Sequence, residues 1–123
     1  MKIAITGGSG FIGTRLKQVL EAAGHECVII DLRHSTPVDI LDYPALVDAM
    51  MGCEAVYHLA AEHRDDVFPR SRYYDVNVKG SRNVASAVPS VFGSTVPTCR
   101  VSARFSMVRI CSSRTICARP LRP

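Results

Sequence analysis

Thr6-Gly7-Gly8-Ser9-Gly10-Phe11-Ile12-Gly13 is the stretch whose reading decides the fold. Before it, residues 2–6 read KIAIT, a short β-branched run that stops at glycines, as a buried strand does. After it, Ile12, Leu16, Val19, Leu20 and Ala23 recur on one face of a helix, and Gly24 ends that helix. Gly7, Gly10 and Gly13 therefore stand in G-x-x-G-x-x-G spacing between a strand and an amphipathic helix. Each glycine meets a different demand. The first permits a tight turn off the strand. The second lets backbone approach a phosphate without a Cβ in the way, and the third lets helix and strand pack closely. A phosphate seated there would meet free N–H groups at the positive end of the helix dipole. A glycine triplet can also be a merely structural turn, but the flanking strand and helix favour nucleotide binding.

The residues downstream agree. Residues 27–30 form a second apolar strand closed by Asp31, 18 positions after Gly13. A carboxylate at that point can accept hydrogen bonds from both adenosine ribose hydroxyls and repels a 2′-phosphate, so NAD is favoured over NADP. Asp31 could alternatively cap a helix or turn. Arg33 nearby could accommodate a phosphate. Residues 32–42 read as a loop, 43–51 as a short helix with Pro44 in its first turn, and 55–59 as a third strand. Residues 60–70 are a polar loop. Residues 72–87 read as a helix with Tyr73, Val76, Gly80, Val84 and Ala87 on one face. Strand and helix alternate three times, which implies α/β architecture with a parallel sheet and right-handed crossovers. The expected fold class is a partial Rossmann fold of three layers, strand order 3-2-1, with the fourth strand left open.

Charge is distributed unevenly. The chain has 123 residues, suited to one domain, and a formal net charge of +4. All 11 acidic residues lie between Glu21 and Asp75. Residues 1–87 carry nine basic side chains against those 11, a net of −2, and residues 88–123 carry six arginines and no acid, a net of +6. The six arginines are scattered, so nucleic-acid binding is not expected; a salt-dependent DNA affinity lost on deleting the tail would reverse that view. Cysteines at 27, 53, 99, 111 and 117 show no C-x-x-C pair, and His25, His34, His58 and His63 show no H-E-x-x-H, so no metal site is expected and free thiols are. No stretch reads as a membrane span or signal peptide, and a cytoplasmic location is expected.

Four motifs in order carry a family resemblance. TGGSGFIG at 6–13 matches T-G-x-x-G-x-x-G. Asp39-Ile40-Leu41-Asp42 is similar to a D-[ILV]-x-D loop, His58-Leu59-Ala60-Ala61 matches H-L-A-A, and residues 77–83 (NVKGSRN) are similar to N-V-x-G-T-x-N. Together they resemble the extended short-chain dehydrogenase/reductase family, the NAD-dependent nucleotide-sugar epimerases and dehydratases, over residues 1–87. The resemblance implies that Asp39 and Ile40 contact adenine and that Leu59, Ala60 and Ala61 run beside the cofactor. Candidate cofactor-binding residues are thus Gly7, Gly10, Phe11, Ile12, Gly13, Asp31, Leu32, Arg33, Asp39, Ile40, Leu59, Ala60, Ala61 and Asn77. It also implies a nucleotide-sugar substrate for a full-length protein, and a homo-oligomer built partly through the 72–87 helix.

The family's acid–base pair, Tyr-x-x-x-Lys, does not occur here. Four residues after Tyr43, Tyr57, Tyr73 and Tyr74 stand Val47, Ala61, Asn77 and Val78, so no catalytic residue is assigned. Ser112-Ser113 lies too far along to be the family's serine motif. Residues 1–87 are expected to be the dinucleotide-binding half. Residues 88–123 are expected to be an irregular basic tail, from a shifted reading frame or a truncated gene, with a candidate strand at 105–111. The first strand should be central with the fourth beside it, so a tail unable to supply that strand would leave a bare, aggregation-prone edge. The rivals are a non-catalytic nucleotide-binding module and a non-functional product.

Overall fold

The computed structural model describes residues 1–92, 100–102 and 107–111. Strands are β1 (Lys2–Thr6), β2 (Glu26–Ile30), β3 (Ala55–His58), β4 (Arg100–Ser102) and β5 (Met107–Cys111). Helices are α1 (Phe11–Ala22), α2 (Tyr43–Met50), α3 (Ser71–Tyr74) and α4 (Ser81–Phe92), with a π-helical turn at Asp75–Gly80. Ser112-Ser113 and Phe105 lie outside the described residues.

The sheet runs β2-β1-β3-β5-β4. β1 pairs in parallel with β2 (Lys2 opposite Glu26) and with β3 (Ile3 opposite Ala55). β5 pairs antiparallel with β3, and β4 antiparallel with β5. The expected 3-2-1 order is therefore corrected to 2-1-3: the third strand lies on the far side of β1, not outside β2. Two local features hold it there. The Thr6 hydroxyl accepts hydrogen bonds from the backbone N–H groups of Leu59 and Ala60, and Gly7 lacks the Cβ that would collide with that segment. β1 consequently has a neighbour on both edges, and the bare edge expected from the sequence does not arise. The candidate strand near 105–111 is present as Met107–Cys111.

Alternation along β1 divides the core between two faces. Ile3 and Ile5 join Ala55 on one face, covered by Leu16 and Leu20 of α1. Ala4, Ile30 and Val56 lie on the other, covered by Leu46 and Met50 of α2 and by Val84, Ala87 and Val88 of α4. Both faces of the parallel part, β2-β1-β3, are covered, as parallel strands require. α1 is rotated from the face its periodicity suggested. Gly13 is the position able to touch backbone, so the stripe 13-16-20 turns inward, leaving Ile12 at 60% and Val19 at 66% exposure. α2 starts where Asp42 accepts from the Ala45 amide, with Pro44 in its first turn. The helix expected over 72–87 is instead α3, the π turn and α4, and it continues past Pro89, which removes one helical hydrogen bond without ending the run. Among the described residues no helix is long and apolar enough to cross a membrane.

Candidate functional site

The glycine turn is built by close approach. Gly7 has φ +69°, and a Cβ there would lie 2.6 Å from the Ala60 nitrogen. A Cβ on Gly13 would lie 2.4 Å from the Gly7 carbonyl oxygen and 2.5 Å from the Gly8 Cα. Real Cβ atoms do not come so near, so these two positions must be glycine for α1 to start where it does. Gly10 differs. Its nearest neighbours to such a Cβ are the Gly7 oxygen at 3.1 Å and the Arg33 Nη2 at 3.8 Å, so little protein limits this position and the space beside it is open.

Gly10 is also the N-cap of α1 and supplies no side-chain acceptor, and no acid stands in the first turn. The Gly10 amide donates to Gly7 and the Thr14 amide to Gly10. Among the described residues, no group accepts from the amides of Phe11, Ile12 or Gly13. Three N–H groups at a positive helix end, beside an open glycine, suit an anion. Phe11 next to them is 81% exposed, with the Arg15 guanidinium over its ring at 5.4 Å.

Asp31 is joined to this turn. Its carboxylate accepts from the Ser9 amide (3.1 Å) and the Arg33 amide (2.9 Å), so the reading of Asp31 as a turn cap is correct as far as it goes. Each carboxylate oxygen keeps a lone pair for a further donor. The Arg33 side chain is exposed and its Nε lies 3.6 Å from Asp31, while its far end approaches Gly10. Leu32 is exposed beside them.

The remaining candidates fall into two groups. Leu59 and Ala60 reach the turn: their amides bond to Thr6, and Ala60 lies under Gly7, with Ala61 exposed next along the chain. Asp39, Ile40 and Asn77 have structural duties. Asp39 accepts from the Leu41 amide. Ile40 is buried in the core against Gly80, so its side chain is turned from solvent. Asn77 clamps the Glu62 backbone, accepting from its N–H at 2.8 Å and donating to its carbonyl at 2.9 Å. Glu62 in turn pairs with Arg64 and Arg72, each at 3.2 Å, and the hydrogen bond from Arg64, then that from Arg72, holds its carboxyl below the usual range.

Sequence reasoning missed a buried polar chain behind the turn. The Thr6 hydroxyl lies 2.6 Å from His58 Nδ1, His58 Nε2 lies 2.9 Å from the Ser81 hydroxyl, and Ser81 donates to the Asn77 carbonyl at 2.8 Å. His58 is 1% exposed and its pKa is lowered by burial. The only advance signal was a histidine at the end of an apolar strand, which suits a core residue equally well. A separate surface hollow of about 420 Å³ is lined by Leu41, Asp75, Lys79, Arg82 and Asn83; Lys79 is paired with Asp75 at 2.7 Å, and Asn83 donates to the Ile40 and Leu41 carbonyls.

A glycine turn with helix-start amides beside it, an adjoining carboxylate at the end of the second strand, and parallel strands β2-β1-β3 covered on both faces are the features of a dinucleotide-binding protein of Rossmann type. Comparison with known proteins narrows this. The signature of the NAD dependent epimerase/dehydratase family matches residues 3–111, and the chain belongs to that family. It is 46% identical over 95 residues to N-acetyl-alpha-D-glucosaminyl-diphospho-ditrans,octacis-undecaprenol 4-epimerase of Escherichia coli O157:H7, covering 70% of this chain and 28% of that protein. A short-chain dehydrogenase/reductase superfamily protein from Agrobacterium tumefaciens, solved with bound NAD, superposes with a TM-score of 0.67 at 31% identity, covering 74% of this chain and 30% of that one. UDP-glucose 4-epimerase from Thermus thermophilus in complex with NAD gives a TM-score of 0.63 at 26% identity, covering 74% and 34%. The chain thus spans about a third or less of each of these proteins.

Proposed function

We propose that this chain is the NAD-binding part of an epimerase/dehydratase acting on a nucleotide-activated sugar. The observation that carries the reading is the set of three amides, at Phe11, Ile12 and Gly13, without a partner among the described residues, beside open Gly10 and joined through Ser9 to the Asp31 carboxylate. In this arrangement the amides hold the cofactor's pyrophosphate, Asp31 accepts from the adenosine ribose, and Leu59, Ala60 and Ala61 border it. Asp39 faces the adenine end, and Ile40 and Asn77 support the loops from behind. NAD, when bound, supplies the hydride acceptor of the family's chemistry. These 123 residues supply binding and orientation and contain no Tyr-x-x-x-Lys, so the chain alone is proposed not to turn over substrate. The experiment is titration calorimetry of the purified chain with NAD: saturable binding is expected, and its absence from folded protein would reject the reading.

NADP is the second reading, favoured by the approach of the Arg33 guanidinium to Gly10. The carboxylate of Asp31, seated between two amides, opposes it by repelling a 2′-phosphate; comparing NAD with NADP in the same titration decides. Residues 88–123 also carry two readings. The absence of acidic residues after Asp75 favours a shifted frame. The family match through residue 111 favours native sequence, while the antiparallel pairing of β5 with β3, where a Rossmann sheet continues in parallel, does not. The coding DNA separates them: a frame continuing into a serine motif and Tyr-x-x-x-Lys would establish the first.

A further inference from the structure

The hydrogen-bond chain behind the glycine turn fixes the protonation pattern of His58. Thr6 Oγ1 already accepts from two amides, Leu59 at 3.2 Å and Ala60 at 3.3 Å. Its own proton needs an acceptor, and His58 Nδ1 at 2.6 Å is the one in reach. At the other end of the ring, the Ser81 hydroxyl gives its proton to the Asn77 carbonyl, which can only accept. The Ser81 oxygen therefore receives from His58 Nε2. The two hydroxyls lead independently to one tautomer, Nε2–H with Nδ1 bare. The opposite tautomer strands the Thr6 proton inside a fully buried site, and the doubly protonated ring does the same while burying a charge.

We propose that His58, as the neutral Nε2–H tautomer, is a positioning residue for the cofactor turn: its Nδ1 aims the Thr6 hydroxyl, whose oxygen holds the Leu59–Ala60 segment against Gly7. The proposal rests on the reading of that turn as the NAD seat. The geometry gives it consequence because Gly7 has no slack. Ala60 lies where a Cβ on Gly7 would fall, so a shift of the 59–60 segment disturbs the start of the turn. Through Ser81 and Asn77 the same chain reaches the π turn and the Glu62 loop, tying β1, β3 and the loop after β3 into one hydrogen-bonded unit.

The test compares two variants of the full chain. In His58→Asn the side-chain oxygen can take the acceptor place of Nδ1. In His58→Gln the amide reaches the place of Nε2 and no acceptor faces Thr6. Hydrogen exchange without cofactor is expected to show the Leu59 and Ala60 amides protected in wild type and His58→Asn, and about tenfold less protected in His58→Gln. NAD affinity is expected to follow the same order, with His58→Gln weaker by about tenfold. Nitrogen NMR of the wild-type imidazole should show a bare Nδ1 and a protonated Nε2. A reversed tautomer, or equal protection in the two variants, would overturn the proposal. Both of these are read without NAD, so they judge His58 even if the chain binds no cofactor, an outcome that would reject the function proposed above instead.

Discussion

Gly10→Ala should separate folding from binding. At Gly10 the backbone has φ −77° and ψ 175°, a conformation any residue adopts, so the added methyl brings no backbone strain. Its closest contact, 3.1 Å to the Gly7 oxygen, is relieved by a shift of a few tenths of an ångström. Restricting the unfolded chain stabilises by about 0.4–1 kcal/mol. Losing a favoured N-cap glycine and the tight contact offset this, leaving a net change within about 0.5 kcal/mol. The methyl nevertheless occupies the open space beside the three free amides. Phosphate held away from them loses charge-assisted hydrogen bonds, each contributing about 1.5–3 kcal/mol, so NAD affinity should fall by tenfold or more, about 1.4 kcal/mol at least. Gly13→Ala should behave oppositely in kind. Its methyl would meet the Gly7 oxygen at 2.4 Å, forcing α1 from the turn and destabilising by about 1–3 kcal/mol. The assay is thermal unfolding with calorimetric titration on the same preparations. The reasoning is refuted if Gly10→Ala binds NAD like wild type, or if it is the less stable of the two variants.

Other outcomes can be read in the same way. Thr6→Val, nearly the same size, strips the Leu59 and Ala60 amides and His58 Nδ1 of their shared partner and should cost about 1–3 kcal/mol by denaturant titration, with Thr6→Ser restoring most of it. Asp31→Asn should weaken NAD and narrow the preference over NADP, and adding Arg33→Ala should then weaken NADP more than NAD, measured by calorimetry. Stability should fall as pH drops below about 6.5, the ordinary histidine value, because burial lowers the folded pKa of His58 and the unfolded chain takes up the proton first. The ring meets Thr6 from β1 and Ser81 from α4; Val108 stands opposite it in β5, with Arg109 next along, and Lys79 and Arg82 flank Ser81 in sequence. His58→Asn should remove this slope and leave a separate acid limb from Glu62, whose lowered pKa places its loss below about 4.5. Equal slopes in wild type and variant would assign the dependence elsewhere.

Much of this was legible in the sequence because the residues concerned act through local backbone. KIAIT followed by spaced glycines states a strand, a turn and a helix start within residues 2–13, and the structure has each of them there. Asp31 was legible because strand length fixes where β2 ends. The strand order was not: which edge of β1 receives β3 depends on contacts between Thr6, Gly7 and Ala60, more than 50 positions apart in sequence. The Thr6–His58–Ser81 chain was hidden for the same reason, since neither partner of His58 is near it in sequence. The packing of the Ile40 side chain against Gly80, 40 positions further along the chain, was hidden likewise. The π turn gave no periodic signal, because it widens one turn inside an otherwise regular apolar stripe.

The central claim is that the glycine turn seats NAD, and titrating nitrogen-15-labelled chain with NAD tests it most directly. The account predicts saturable amide shifts at Gly7 to Gly13, Asp31 to Arg33 and Leu59 to Ala61, reproduced at most of these positions by ADP-ribose. Shifts confined to the hollow around Leu41, Lys79 and Arg82, or no shifts in folded protein, would contradict it.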